Sequence, residues 1–134
     1  MPNQEVTNFT TVDHTADPDF FLRFLDEANK LIGVNAWKSA IVDGLRLQPG
    51  ARVLDIGCGM GADVFDLAAR VGPNGLVTGV DFSETLIAEA IRRTAGRSIL
   101  ATFEVGDAQA LRFPDDPDGI ACRRHIKLKI RFHC

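Results

Sequence analysis

The chain is predicted to fold as an α/β protein built on a parallel sheet, and three observations predict it. Short apolar runs recur along the sequence and alternate with stretches whose apolar residues repeat at helical spacing. A glycine loop, Asp55-Ile56-Gly57-Cys58-Gly59-Met60-Gly61, stands between the first such run and the helical stretch after it. The next two runs also end on an acid, at Asp81 and at Asp107. In open parallel sheets ligands lie beyond the carboxyl ends of the strands, so these three junctions are where function is expected.

Residues 1–17 are polar and read as a flexible N-terminal segment. Asp17-Pro18 marks a helix start, with the acid at the cap and proline at the first helical position. Phe20, Phe21, Phe24, Leu25, Ala28, Leu31 and Ile32 then recur at helical spacing, and Gly33 is expected to end that helix. A second helix is expected from Ala36 to Leu45, with Trp37, Ala40, Ile41 and Leu45 as its apolar stripe.

Pro49-Gly50 is a turn, after which the period changes. Arg52-Val53-Leu54-Asp55-Ile56 reads as a buried strand, and Ala62 to Val71 as the helix that follows the glycine loop. Gly72-Pro73-Asn74-Gly75 stops this helix. Leu76 to Val80 is a second strand ending at Asp81. Ser83 caps the next helix, with Leu86, Ile87, Ala90 and Ile91 as its stripe and Gly96 as its stop. Thr102 to Val105 is a third strand, and Ile120-Ala121-Cys122 is expected to begin a fourth.

Size and composition narrow the classes of function. The 134 residues suit one domain. The net charge of −3 gives no reason to expect nucleic acid as a partner. Cys58, Cys122 and Cys134 lack the number and spacing of a disulfide scaffold or a zinc site, and no metal is expected. No secretory signal opens the chain, and no apolar run approaches the roughly 20 residues a membrane helix needs. A reduced, cytoplasmic protein without membrane contact is the simplest reading.

Chemistry is expected at the glycine loop. Gly57 can take a positive φ at the turn, Gly59 presents no side chain toward a ligand, and Gly61 allows close packing of the helix. The helix start offers free N–H groups to an anionic group. Gly57-x-Gly59-x-x-Ala62 also satisfies the pattern of a nicotinamide dinucleotide site, so charge has to separate the candidates. Asp55 before the loop and Asp63 in the first helical turn would repel a pyrophosphate. S-adenosylmethionine is cationic overall, and Asp55 can favour its ammonium while backbone N–H groups meet its carboxylate. For Asp63, interaction with the helix dipole is preferred to ligand contact. Asp81 stands where an acid accepts hydrogen bonds from ribose hydroxyls, Phe82 can pack on adenine, and Asp107 can accept from the adenine amino group; dinucleotide enzymes also carry an acid at the position of Asp81.

With these residues in view, the sequence resembles the class I S-adenosylmethionine-dependent methyltransferases. Val53 to Gly61 resembles their first motif, Gly79-Val80-Asp81-Phe82-Ser83 their second, and Val105-Gly106-Asp107-Ala108 the motif that contacts adenine. Leu111-Arg112-Phe113-Pro114-Asp115-Asp116 resembles the connection before the fourth strand, and the helices around Ala36-Trp37 the N-terminal cap of small-molecule methyltransferases. The resemblance implies a Rossmann-like sheet with that cap. It implies a cofactor site in which Asp55, Gly57, Cys58, Gly59 and Gly61 line the methionine end, Asp81 holds the ribose, and Phe82, Asp107 and Ala108 surround the adenine. It further implies methyl transfer to a small-molecule acceptor, with no catalytic base assigned.

The resemblance covers roughly residues 18–122, expected to be a partial cofactor-binding domain holding the first three to four strands. Residues 123–134 are expected to be a basic tail: Arg123, Arg124, Lys127, Lys129 and Arg131 lie there with no acidic side chain. Ile126 to Phe132 alternates apolar and basic residues, the pattern of a half-exposed strand and unlike a central parallel strand, which should be continuously apolar. The expectation is therefore a truncated chain whose sheet edge is open to homodimerisation. Two other functions stay open on the residues alone: a cofactor-binding fragment without turnover, and a nicotinamide-dependent oxidoreductase.

Overall fold

The computed structural model describes residues 9–107 and 126–130. A 3-10 segment, Phe9–His14, precedes helices α1 (Pro18–Asn29) and α2 (Ile32–Gly44). Strand β1 (Arg52–Ile56), helix α3 (Ala62–Val71), strand β2 (Leu76–Asp81), helix α4 (Glu84–Thr94) and strand β3 (Ala101–Val105) then alternate, and β4 is Ile126–Ile130. The strands form a parallel sheet in the order β3-β2-β1-β4. This is the Rossmann-like α/β architecture with a helical cap that the sequence predicts.

Local signals placed most helix starts correctly. Asp17 accepts a hydrogen bond from the Phe20 amide at 3.1 Å, and Pro18 fills the first position of α1. Ser83 accepts from the Leu86 amide at 3.1 Å at the start of α4. The break between α1 and α2 departs from expectation. It falls at Lys30-Leu31, so Gly33 lies inside α2 instead of ending α1. The Lys30 and Leu31 amides close a tight turn on the Glu27 and Ala28 carbonyls, and Leu31 then takes an extended conformation (φ −69°, ψ 128°). No left-handed residue is needed there, so no glycine marks the break.

The inward face of α2 differs too. Trp37 is 62% exposed, and the buried residue of this helix is Val42. Lys38 and Asp43 reach α3, pairing with Asp63 and Arg70. The side turned to the domain thus runs through Lys38, Val42 and Leu45, one polar residue longer than an apolar stripe reveals.

Two apolar clusters hold the structure. One gathers Val42, Val53, Cys58, Val64, Leu67, Ala68, Val71, Val77 and Ile87. The other joins Val12, Phe21, Met60 and Leu86, so the N-terminal segment, α1, the glycine loop and α4 share one core. Full burial of a side chain such as Phe21 contributes about 2–3 kcal/mol. Val12, read from sequence as part of a flexible segment, is therefore fully buried.

The strand beside β1 begins at Ile126. The expected start at Ile120-Ala121-Cys122 lies outside the described residues. The expected basic tail thus contributes a strand. Among the described residues β4 is outermost, which suits a sequence of alternating apolar and basic residues, because charge on an edge discourages pairing with other chains.

Candidate functional site

The glycine loop follows β1 at the carboxyl end of the sheet. Gly57, Gly59 and Gly61 all have positive φ, at 71°, 56° and 82°. The Val80 carbonyl at the end of β2 receives the amides of Gly57 (2.7 Å) and Cys58 (3.0 Å), and the Gly61 amide closes back on the Cys58 carbonyl. Gly61 shows why the last position must lack a side chain. A Cβ there would lie 2.9 Å from the Phe103 ring, in a backbone conformation that L-residues rarely adopt. The close approach thus involves β3, from across the sheet. Cys58 turns inward: it is buried, and a Cβ on Gly79 would meet its sulfur at 2.9 Å. The Cys58 thiol fills the gap left by Gly79, which leaves its backbone facing the loop.

Asp81 binds this loop to the next junction. Its Oδ2 accepts from the Gly59 amide at 2.9 Å and its Oδ1 from the Ser83 amide at 3.0 Å. Asp81 is 8% exposed. A carboxylate has about four lone-pair sites, so each oxygen retains capacity for one more donor. Two neighbouring hydroxyls are a group that fits this remainder. Phe82, next along, is 54% exposed at the same rim. Asp107 follows β3 and is exposed, and the Gly106 amide donates to the Asp81 carbonyl at 2.9 Å, which ties the third junction to the second. Ala108 lies outside the described residues.

The two acids used to separate candidate ligands sit differently from one another. Asp63 is buried in the first turn of α3 and pairs with Lys38 at 3.3 Å. Lys38 also donates to Asn29 at the end of α1. The Asp63 charge is thus partly met from the cap as well as by the helix dipole, and it says less against an anionic ligand than the sequence suggests. Asp55 is fully buried within β1, beneath the loop, with Gly79 and Lys129 as its register partners.

One residue of this region escaped the sequence reading. Asp13, in the N-terminal 3-10 segment, accepts from the Ser83 hydroxyl (2.6 Å), the Glu84 amide (2.7 Å) and the Thr85 amide (3.0 Å). It caps α4 from a distance, beside the local Ser83 cap. Burial alone would push its carboxyl up, but the bonds from Ser83, Thr85 and Glu84 outweigh that and hold it at about 2. No local sequence signal links positions so far apart.

Comparison with known proteins agrees with this geometry. The family model described as a methyltransferase domain matches residues 53–131, which includes the glycine loop, Asp81, Asp107 and β4. A phosphoethanolamine N-methyltransferase of Zea mays is 40% identical over 90 residues, covering 67% of this chain and 18% of the maize protein. The structure of a coclaurine N-methyltransferase bound to N-methylheliamine and SAH matches with a TM-score of 0.52 at 25% identity, over 58% of this chain and 23% of that one. The cyclase SpnF matches with a TM-score of 0.55 at 26% identity, over 62% of this chain and 31% of that one. The chain thus spans less than a third of the length of each of these. A family match over more than half of the chain, on a Rossmann-like sheet with an acid-bonded glycine loop, establishes that the chain belongs to the methyltransferase domain family.

Proposed function

We propose that the chain binds S-adenosylmethionine at the glycine loop and directs its methyl group to a small-molecule acceptor. The observation that carries this reading is the bond between Gly59 and Asp81, which joins the loop to the acid of the next strand in a chain of this family. The backbones of Gly57, Cys58, Gly59 and Gly61 would cradle the methionine end, with Asp55 beneath it. Asp81 would take the ribose hydroxyls on its two remaining lone-pair sites. Phe82 would cover one face of adenine, and Asp107 and Ala108 would meet its edge. When bound, the cofactor supplies a methyl group on a sulfonium. The protein's part is to hold donor and acceptor in line, which alone lowers a barrier by several kcal/mol.

The relatives named as N-methyltransferases support a small-molecule acceptor. The likeness to a cyclase supports a second reading, cofactor binding without methyl transfer, because this fold serves more than one chemistry. No helix among the described residues is long and apolar enough to cross a membrane. A cytoplasmic setting is part of the proposal, supported by cysteines that lack the number and spacing of a disulfide scaffold. We also propose a homodimer formed through an exposed sheet edge.

Isothermal titration tests the reading. S-adenosylmethionine and S-adenosylhomocysteine are expected to bind, and Asp81→Ala to weaken both at least about tenfold, the loss expected for hydrogen bonds to a charged group. Methylation of an amine or hydroxyl acceptor, followed by mass spectrometry, separates transfer from binding alone. Binding of NADH with no response to S-adenosylmethionine would overturn the proposal in favour of an oxidoreductase.

A further inference from the structure

Both oxygens of Asp81 are already engaged by amides, so the direction of its free lone pairs depends on how firmly those amides are held. The Gly59 amide belongs to the glycine loop. The Ser83 amide belongs to the turn before α4, and that turn is not held by its own sequence alone. Asp13 grips it from outside through three donors: the Ser83 hydroxyl on Oδ1, the Thr85 amide on the same oxygen and the Glu84 amide on Oδ2. The Ser83 hydroxyl in turn accepts from the Leu86 amide. Val12 beside Asp13 is buried with Phe21, Met60 and Leu86, so the segment carrying Asp13 is anchored to both the loop and α4.

We propose that Asp13 is a positioning residue for Asp81, holding the Ser83 turn so that the Asp81 carboxylate keeps the orientation that a ribose requires. This rests on the cofactor reading above. Asp13 does not touch the ligand in this scheme. It acts through Ser83, whose hydroxyl it holds and whose amide holds Asp81. The N-terminal segment thereby becomes part of the site's support, and its packing on Met60 links both walls of the ribose position.

Two measurements on Asp13→Ala and the milder Asp13→Asn test this. The first is amide hydrogen exchange of the free chain, referenced to the amides of β2. Loss of protection at Glu84 and Thr85 follows from any loss of the cap. The proposal requires loss at Gly59 as well, because the Asp81 carboxylate holds that amide. Gly59 protection unchanged while Glu84 and Thr85 exchange faster would overturn it. If Asp13→Ala does not fold, Asp13→Asn, which keeps one acceptor oxygen, decides the matter by the same criterion. The second is binding of S-adenosylhomocysteine against its analogue lacking both ribose hydroxyls. Asp13→Ala is expected to weaken the natural ligand about tenfold and the analogue little, the coupling that a double-mutant cycle detects. Equal losses for the two ligands would show a purely structural cap. Failure of the wild-type chain to bind either ligand would sink the cofactor reading, while exchange at Gly59 would still decide whether Asp13 holds Asp81.

Discussion

Gly61 carries two requirements at once: a left-handed backbone and room for a neighbouring ring. They can be separated by comparison with Gly50, which has nearly the same φ (84° against 82°) but nothing within 4 Å of a built Cβ. Alanine at Gly50 is expected to cost about 1–2 kcal/mol, the penalty of the conformation alone. Alanine at Gly61 adds the clash with Phe103, about 1–3 kcal/mol more. Urea unfolding of the two variants checks this, and equal losses would mean that the Phe103 ring swings aside freely. The example also marks what a sequence conveys at this scale. The need for glycine after a strand is local and was legible. Its partner was not, because Phe103 comes to Gly61 only once β3 has paired with β2. Cys58 makes the same point. Its place in the loop is read from its neighbours in sequence, while the bare face of Gly79 that receives its thiol is not.

Helix α4 is held by ionised side chains along its length as well as by its apolar stripe. Asp13 sits at its start. Glu89 accepts from Arg92 and Arg93, and Arg93 also makes a two-pronged pair with Asp26 of α1 at 2.7 and 2.8 Å. The bonds from Arg92 and then Arg93, against the opposing effect of burial, hold Glu89 at about 2, and the Arg93 bond holds Asp26 below its usual range. Each folded value lies below its unfolded one. The stabilisation from both is therefore complete above the ordinary carboxylate range, near 3.8 to 4.5, and falls away below it, for Glu89 as pH approaches about 2. Between Glu89→Gln and the wild type, the gap in urea midpoint is expected to be widest at neutral pH and to shrink as pH falls from 4.5 toward 2. Parallel curves across that range would contradict the assignment. These ties also show why helix limits were only partly legible. Asp17-Pro18 and Ser83 are local caps and announce themselves. The turn at Lys30-Leu31 and the inward face of α2 depend on contacts between helices, where Lys38 and Arg93 replace the apolar residues that periodicity detects.

At the scale of the molecule, alternation of apolar runs and helices made the parallel sheet legible, and acids at strand ends marked the rim where the glycine loop stands. The placement of β4 was not legible, since the alternating pattern marks a half-exposed strand but not the β1 partner that accepts it. That placement bears on the proposed homodimer. Among the described residues, the outer ladders of β3 and β4 are the two edges of the sheet. β4 carries Lys127 and Lys129, and two copies of a basic strand repel when brought together. β3 carries the single charge of Glu104 and ends on a half-exposed Val105, so it is the edge better suited to pairing with its own copy. Sedimentation velocity should then show the average mass rising with concentration, with a dissociation constant on the order of micromolar, as expected of a small interface. Thr102→Lys, placed on an exposed position of β3, adds the like charge that edge strands use against pairing, and should weaken the dimer about tenfold or more. A monomer at every concentration would remove the dimer from the proposal. A dimer indifferent to Thr102→Lys but weakened by added charge on β4 would move the interface to the opposite edge, against the order argued from charge.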